Sequence, residues 1–203
     1  MKRFNRMARS VLALTALMSL LLCGCGGKKS GEVEPAPDSQ IYTAQIVVEN
    51  YGTIEVELDG ETAPRTVENF VGLARDGFYD GLTFHRIIDG FMIQGGDPEG
   101  NGTGGSGTNL IGEFADNGIE NPISHTRGTI SMARTKDPDS ASSQFFIVQT
   151  DALYLDGQYA GFGHVTSGME IVDQICKDAQ PIDGNGTIPA ADQPVIQSVT
   201  IVE

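Results

Sequence analysis

Short runs of β-branched and aromatic residues, separated by glycine-rich turns, recur through most of this chain and restrict the folds open to it. The run 53–58 alternates strictly between apolar and polar residues, which is the period of a strand with one buried face. The run 41–48 precedes it across a short turn that contains Asn50 and Gly52, so the two runs predict a β-hairpin. Further strand-like runs lie at 83–88, 91–94, 128–133, 144–148, 162–166 and 195–202. The pattern predicts a mainly β domain with eight short strands.

Two other segments have the period of an amphipathic helix. The first offers Thr62 as a capping residue, Pro64 in its first turn and Gly77 as its stop. The second begins at a capping box formed by Ser167 and Glu170. Because closure removes exposed sheet edges, we expect a closed eight-stranded antiparallel β-barrel capped by two α-helices.

The N-terminal segment differs from the rest of the chain. Its first nine residues carry four positive charges, and the apolar run 11–22 is too short to span a bilayer. The run ends in Leu22-Cys23-Gly24-Cys25, which resembles the bacterial lipobox, whose last cysteine is lipidated. We therefore predict a lipoprotein signal peptide at 1–24, lipidation of Cys25, a flexible tether over 25–40 and one domain over 41–203. An ordinary secretion signal with incidental cysteines is the alternative.

This N-terminus predicts a protein anchored by lipid to the outer face of a bacterial cell membrane. The residues after Cys25 are mostly glycine, lysine, serine, glutamate and proline, which cannot bury enough apolar surface to fold. Cys176 is the one cysteine within the predicted domain, so the sequence predicts no disulfide there.

Charge and motif spacing argue against several classes of ligand. A formal net charge of −14 disfavours nucleic acid, because phosphate contacts need clustered lysine and arginine. The glycine-rich loop 100–108 lacks the Gly-Lys-Ser/Thr ending of a phosphate-binding loop. His125 and His164 are far apart in sequence and have no cysteine partner, and 183–187 lacks the spacing of a calcium loop. We expect no metal and no cofactor.

The most specific signal is the run 84–97, Phe-His-Arg-Ile-Ile-Asp-Gly-Phe-Met-Ile-Gln-Gly-Gly-Asp. It is joined by Ser-Met-Ala-Arg at 131–134, Ser-Gln-Phe-Phe-Ile at 143–147, Leu-Asp-Gly at 155–157 and the helix 63–70. In this order and spacing, the blocks resemble the cyclophilin family of peptidyl-prolyl isomerases. The resemblance covers the whole predicted domain and implies a groove for proline peptides on the outside of the barrel.

The resemblance also implies a role for each matching side chain. Arg86 matches the catalytic arginine, and His85 matches a histidine that supports hydrogen bonding in the site. Because the reaction transfers no proton, we do not expect His85 to act as a general base. Phe91, Met92, Phe145 and Leu155 match the residues that line the proline slot, whereas we assign Phe146 and Ile147 to the core. Gln94 matches the glutamine that binds the substrate backbone, and Ala133, Arg134 and Gln144 match the rim and floor of the groove.

Three positions depart from the common family pattern. Tyr154 stands where many members have tryptophan, Tyr159 where many have histidine, and Arg134 where asparagine is common. Tyrosine keeps a flat apolar face with a polar tip, so we still expect Tyr154 and Tyr159 to contact substrate.

The predicted function is acceleration of rotation about X-Pro bonds during the folding of secreted or surface proteins. Partners are then transient proline-containing polypeptides, and we expect a monomer. A non-catalytic module that holds proline-containing segments is the alternative. A solute-binding lipoprotein is disfavoured, because it would need a larger, usually two-lobed domain.

Overall fold

The computed structural model describes residues 40–202. The predicted signal peptide, the predicted lipidation site Cys25 and the predicted tether up to residue 39 lie outside the described residues. The strands are β1 (Ile41–Val48), β2 (Gly52–Asp59), β3 (Thr83–Ile88), β4 (Met92–Asp97), β5 (Thr129–Met132), β6 (Phe145–Val148), β7 (Gly161–Ser167) and β8 (Ile196–Val202). The α-helices are α1 (Pro64–Arg75) and α2 (Met169–Asp178). All eight predicted strands and both predicted helices are therefore present, with ends shifted by a few residues.

The eight strands form one antiparallel sheet with the order β3-β4-β6-β5-β7-β2-β1-β8. The hairpin predicted between β1 and β2 is confirmed, and its turn places Asn50 at φ 65° and Gly52 at φ 129°. Side chains on the concave face of the sheet pack against those of α1 and of the segment after it in one large apolar core, which includes the rings of Phe70, Tyr79, Phe84, Phe145 and Phe162. The main core therefore lies inside the curl of the sheet.

The prediction of a closed barrel is wrong, because the sheet is an open, curled half-barrel. Its terminal strands β3 and β8 meet only through an isolated bridge between Thr83 and Val195 and a few hydrogen bonds beside it. Further along β8, the backbone N–H of Val199 donates to the side chain of Asp80 at 3.2 Å. A side chain here accepts the N–H that a neighbouring strand would bind in a closed barrel, so this backbone group is paired without closure.

The helices begin differently from what local sequence predicts. Thr62 does not cap α1, since its hydroxyl donates to Asp59 at 2.7 Å. The free N–H groups of Arg65 and Thr66 instead donate to the carboxylate of Glu113, at 3.2 and 2.9 Å. A carboxylate suits a helix N-terminus because it accepts these bonds and complements the helix dipole. Glu113 is remote in sequence, which is why the capping pattern did not reveal it.

The predicted capping box of α2 is also wrong. The residue before the helix is Gly168 at φ 92°, and no side chain caps the first turn. A Cβ atom at Gly168 would lie 2.6 Å from the carbonyl oxygen of Thr53, so both the backbone angle and the close strand require glycine. Within residues 40–202, no helix is long and apolar enough to cross a membrane.

Candidate active site

A β-bulge in β3 turns Arg86 outward. Phe84 pairs with Gly95 and Arg86 pairs with Gln94, so β3 contains one extra residue between the two pairs. Without a bulge, residues two apart would point to the same face of the sheet. With it, Phe84 and Ile87 are both fully buried in the core, whereas Arg86 is half-buried on the convex face.

Hydrogen bonds fix the guanidinium of Arg86. Its Nε donates to the carbonyl oxygen of Asn185 at 2.8 Å, and its Nη1 donates to Oε1 of Gln94 at 3.0 Å. Within residues 40–202, no carboxylate lies within 4.0 Å of the guanidinium. Burial lowers the pKa of Arg86 from its ordinary value, but arginine remains protonated near neutral pH. The site therefore holds a fixed cation that still has free N–H donors.

The polar chain continues from Arg86 across the groove. Nε2 of Gln94 donates to Oε1 of Gln144 at 2.9 Å, and Nε2 of Gln144 donates to the carbonyl oxygen of Gly104 at 2.8 Å. This chain links β3 and β4 to the glycine-rich loop. The structure therefore brings Arg86, Gln94 and Gln144 together, as the resemblance implied.

An apolar cleft of about 190 Å³ lies beside Arg86. It sits on a second, smaller apolar cluster, on the convex face, that includes Met92, Phe146 and Leu155. A saturated ring fits such a surface because it needs contact area and no polar partners. The full lining is Arg86, Phe91, Met92, Gln94, Ala133, Arg134, Phe146, Leu155 and Tyr159.

The prediction that Phe145 lines this cleft is wrong, and Phe146 takes the position. Phe145 is 0% exposed and packs edge-on against Phe70 and Tyr79 in the main core. Phe146 pairs with Gln94 across β4 and β6, so both side chains lie on the convex face. The sequence contained the signal, because Gln144 and Phe146 are two residues apart and must share a face of the strand.

The two tyrosines and Arg134 form the outer part of the groove. Tyr159 lines the cleft, whereas Tyr154 is 66% exposed, with its ring 6.0 Å from that of Phe91. The guanidinium of Arg134 lies 5.0 Å from the ring of Phe114 and 4.7 Å from that of Tyr159. It also donates to the carbonyl oxygens of Gln158 and Thr135. Arg134 is therefore held as a fixed part of the rim.

A buried network that sequence reasoning missed lies behind the cleft. Nδ1 of His125 lies 2.9 Å from Asp156, and its Nε2 lies 2.9 Å from the hydroxyl of Ser131. The imidazole stacks on Phe146 with ring centroids 6.0 Å apart. Ser131 is 0% exposed, so these groups position the cleft wall and offer no accessible nucleophile. The three residues are separated in sequence, and no local pattern links them.

The charge states in this network follow from burial and hydrogen bonding. Burial lowers the pKa of His125 and outweighs the opposing effect of Asp156, so the imidazole is neutral near pH 7. Burial alone would raise the pKa of Asp156, but hydrogen bonds from His125 and Ser124 lower it overall. A carboxylate can only accept, so Nδ1 of His125 donates to Asp156 and Nε2 accepts from Ser131.

Two further cavities adjoin the proline-sized cleft. The larger, of about 390 Å³, lies between the glycine-rich loop and Ala133, and Arg134 separates it from Tyr159. The other, of about 300 Å³, lies on the opposite flank of Arg86 and is bordered by His85 and Asn185. Within residues 40–202, no three His, Cys, Asp or Glu side chains form a group that could hold a metal ion.

Comparison with known proteins gives a consistent result. Residues 43–203 match the family model described as cyclophilin type peptidyl-prolyl cis-trans isomerase/CLD. The chain is 48% identical over 128 residues to peptidyl-prolyl cis-trans isomerase B of Bacillus subtilis, covering 63% of this chain and 86% of that one. It is 41% identical over 175 residues to peptidyl-prolyl cis-trans isomerase A of Dickeya dadantii, covering 83% and 90%.

A solved structure agrees with these relatives. The crystal structure of a Cryptosporidium parvum cyclophilin type peptidyl-prolyl cis-trans isomerase, determined in the presence of the dipeptide Ala-Pro, superposes with a TM-score of 0.69. The two chains are 31% identical, and the match covers 79% of this chain and 99% of that one.

Proposed function

The chain belongs to the cyclophilin family and is a peptidyl-prolyl cis-trans isomerase, and we propose that Arg86 is its catalytic residue and that it acts on secreted or surface proteins. The observation that carries the proposed role is a fixed guanidinium at the edge of a proline-sized apolar cleft. The alternative of a non-catalytic binding module is disfavoured, because the relatives matched across the domain are named as isomerases.

The chemical problem is the amide resonance of the X-Pro bond. Rotation has a barrier of about 18–20 kcal/mol and takes tens to hundreds of seconds without a catalyst. As the bond twists, conjugation is lost and the prolyl nitrogen becomes pyramidal and gains a lone pair. A donor aimed at this nitrogen or at a nearby carbonyl oxygen stabilises the twisted state more than the planar one, which lowers the barrier.

Each part of the site then has a physical task. The rings and thioether of Phe91, Met92 and Phe146 hold the pyrrolidine while the rest of the amide rotates. Arg86 donates to the twisted amide from the N–H groups that Asn185 and Gln94 leave free. Because both contacts restrain the guanidinium, little reorganisation is needed when the substrate twists. No bond is broken, and no proton is transferred.

The test is isomerisation of a short Ala-Pro peptide, measured by NMR exchange with the full-length protein in detergent. Arg86→Ala should reduce kcat/KM by about 100-fold, the usual loss on removing one preorganised donor. Arg75→Ala is the matched control, because Arg75 lies at the exposed C-terminal end of α1 and does not line the cleft. If Arg86→Ala stays folded and as active as the parent, the role proposed for Arg86 is wrong.

We also propose that the enzyme is attached to a bacterial membrane through Cys25. The proposal rests on the positive start, the short apolar run and the lipobox-like Leu22-Cys23-Gly24-Cys25. Cells that express the chain should incorporate a fatty-acid label into it, and Cys25→Ala should abolish both the label and membrane fractionation. Cys23→Ala is the control, since the predicted signal peptide is removed with Cys23. Equal labelling of Cys25→Ala and the parent would rule out this anchor.

A further inference from the structure

Gln149 is a buried polar residue beside the turn that carries Phe91. It directly follows β6 and is 8% exposed. Its Oε1 accepts the backbone N–H of Gly90 at 2.6 Å, and its own backbone N–H donates to the carbonyl oxygen of Phe91 at 2.7 Å. One residue therefore holds both ends of the dipeptide Gly90-Phe91, by its side chain at one end and by its backbone at the other.

The segment that Gln149 holds is the turn between β3 and β4. The N–H of Phe91 donates to the carbonyl oxygen of Ile88 at 3.0 Å, which closes a four-residue turn with Gly90 at φ 80°. A positive φ at the third residue of such a turn favours glycine. Asp89 and Gly90 are exposed, so the core does not fix them. Phe91 ends the turn and lines the apolar cleft, so the position of its ring depends on how the turn is held.

The orientation of the Gln149 carboxamide follows from its partners. The N–H of Gly90 can only donate, so the amide oxygen faces it. The NH₂ group then donates to Asp89 at 3.2 Å and to Asp173 at 3.4 Å, because ionised carboxylates can only accept. The site therefore needs a donor and an acceptor on one side chain, and glutamine is the residue of this length that offers both.

A salt bridge fixes the far side of this amide. The two terminal nitrogens of Arg127 donate to Asp173 of α2 at 2.8 and 2.6 Å, and Nη1 also donates to the carbonyl oxygen of Gln149 at 2.8 Å. Hydrogen bonds from Arg127 and, less strongly, from Gln149 lower the pKa of Asp173, so this carboxylate is charged near neutral pH. The turn before Phe91 is therefore tied through Gln149 to α2.

The other apolar walls of the cleft are joined to the same place in the chain. Phe146 lies three residues before Gln149, and Leu155 lies six residues after it. Phe91 packs with both of them in the apolar cluster on the convex face, and its carbonyl oxygen also accepts the N–H of Thr150 at 3.3 Å. A change at Gln149 that releases the turn therefore moves Phe91 relative to the other two walls.

We propose that Gln149 is a positioning residue of this isomerase, whose carboxamide holds the turn so that the ring of Phe91 packs against the proline of the substrate. Gln149 itself does not line the cleft and acts only through Phe91. The inference rests on the proposed function, because it assumes that proline occupies the apolar cleft. It assigns to Gln149 an effect on substrate binding, separate from the rotation step that Arg86 assists.

The first test removes the carboxamide and separates kcat from KM by NMR exchange at several concentrations of the Ala-Pro peptide, with the full-length protein. Gln149→Met keeps a similar length and should raise KM about fivefold, the value of one neutral hydrogen bond, while kcat changes by about twofold at most. Gln149→Ala carries the same expectation and replaces it if Gln149→Met does not fold. Gln45→Met is the control, because Gln45 lies on β1, bonds to Glu55 and does not line the cleft. An unchanged KM in a folded Gln149 variant overturns the proposal.

The second test is a double-mutant cycle with Phe91→Ala. If Gln149 acts through the ring of Phe91, Gln149→Met should raise KM in the parent but not in Phe91→Ala. A general loss of structure would instead raise KM by the same factor in both backgrounds, and that result contradicts the proposal. The single variants separate the two proposals. If Phe91→Ala raises KM and Gln149→Met does not, this inference fails alone, whereas an unchanged KM in Phe91→Ala also contradicts the proposed cleft for proline.

Discussion

Nη1 of Arg86 donates a 3.0 Å hydrogen bond to Oε1 of Gln94, its partner in the register of β3 and β4. Because arginine has no acceptor, this bond fixes the orientation of the Gln94 amide and turns its NH₂ group towards Gln144. Gln94 therefore holds the proposed catalytic cation, in addition to the contact with substrate that the sequence predicts.

This pair makes Gln94→Glu an informative change. A carboxylate of the same shape would form an ion pair with Arg86 and draw its N–H groups away from the twisting amide. We expect kcat to fall by about tenfold or more, with a smaller change in KM, because charged hydrogen bonds contribute about 1.5–3 kcal/mol. NMR exchange rates over a range of peptide concentrations separate kcat from KM. Gln197→Glu, at an exposed position of β8, is the control and should match the parent.

The adjacent phenylalanines of β6 should respond differently to the same substitution. Phe145→Leu leaves a gap in the main core and should lower the free energy of unfolding by about 1–2 kcal/mol, with kcat/KM preserved in the folded protein. Phe146→Leu reshapes the proline cleft and should raise KM. Urea unfolding and peptide isomerisation measured on both variants decide the matter. If Phe145→Leu raises KM and Phe146→Leu does not, then Phe145 and not Phe146 lines the proline cleft.

Catalysis should depend little on pH between about 6 and 8.5. Arg86 stays charged through this range, and no proton is transferred in the rotation. The pKa of His85 is lowered from 6.5, so its protonation begins only towards the acidic end. The measurement is kcat against pH with a buffer of constant ionic strength. A bell-shaped profile centred near neutral pH would show that a titrating group such as His85 takes part.

Stability, in contrast, should fall as the pH drops below about 6.5. The pKa of His125 is lower in the folded protein than the ordinary 6.5. Below pH 6.5 the unfolded chain therefore binds a proton at this histidine more readily than the folded protein does, and this favours unfolding. Each such histidine contributes a slope of up to about 1.4 kcal/mol per pH unit until its folded pKa is reached. His85 acts in the same direction.

Urea unfolding at pH 7 and pH 5 measures this loss. His125→Gln should lower the free energy of unfolding at pH 7. It should also reduce the difference in unfolding free energy between pH 7 and pH 5, because the variant lacks the imidazole that takes up a proton on unfolding. His164→Gln, at an exposed position of β7, is the control. If the unfolding free energy changes between pH 7 and pH 5 by the same amount in His125→Gln and the parent, the assignment of a neutral His125 is wrong.

Local sequence determined much of this protein. The eight strand-like runs became eight strands, and in β2 the alternation of apolar and polar residues became alternation of buried and more exposed side chains, because only one face of that strand is buried. The face of α1 that bears Val67 and Phe70 is buried for the same reason. The ordered motifs around Arg86 and Gln144 were sufficient to indicate the family and most of the groove.

Other features depended on residues that meet only after folding. The bulge that places Phe84 and Arg86 on opposite faces of the sheet is visible only in the pairing of β3 with β4. Whether the barrel closes depends on how β3 and β8 approach each other, and here they share only an isolated bridge. Glu113 caps α1 from a distant loop, and His125 meets Asp156 behind the cleft. Sequence periodicity sets the face on which each side chain lies. Contacts between distant segments, however, are set by sheet register and packing, and only the tertiary structure decided them.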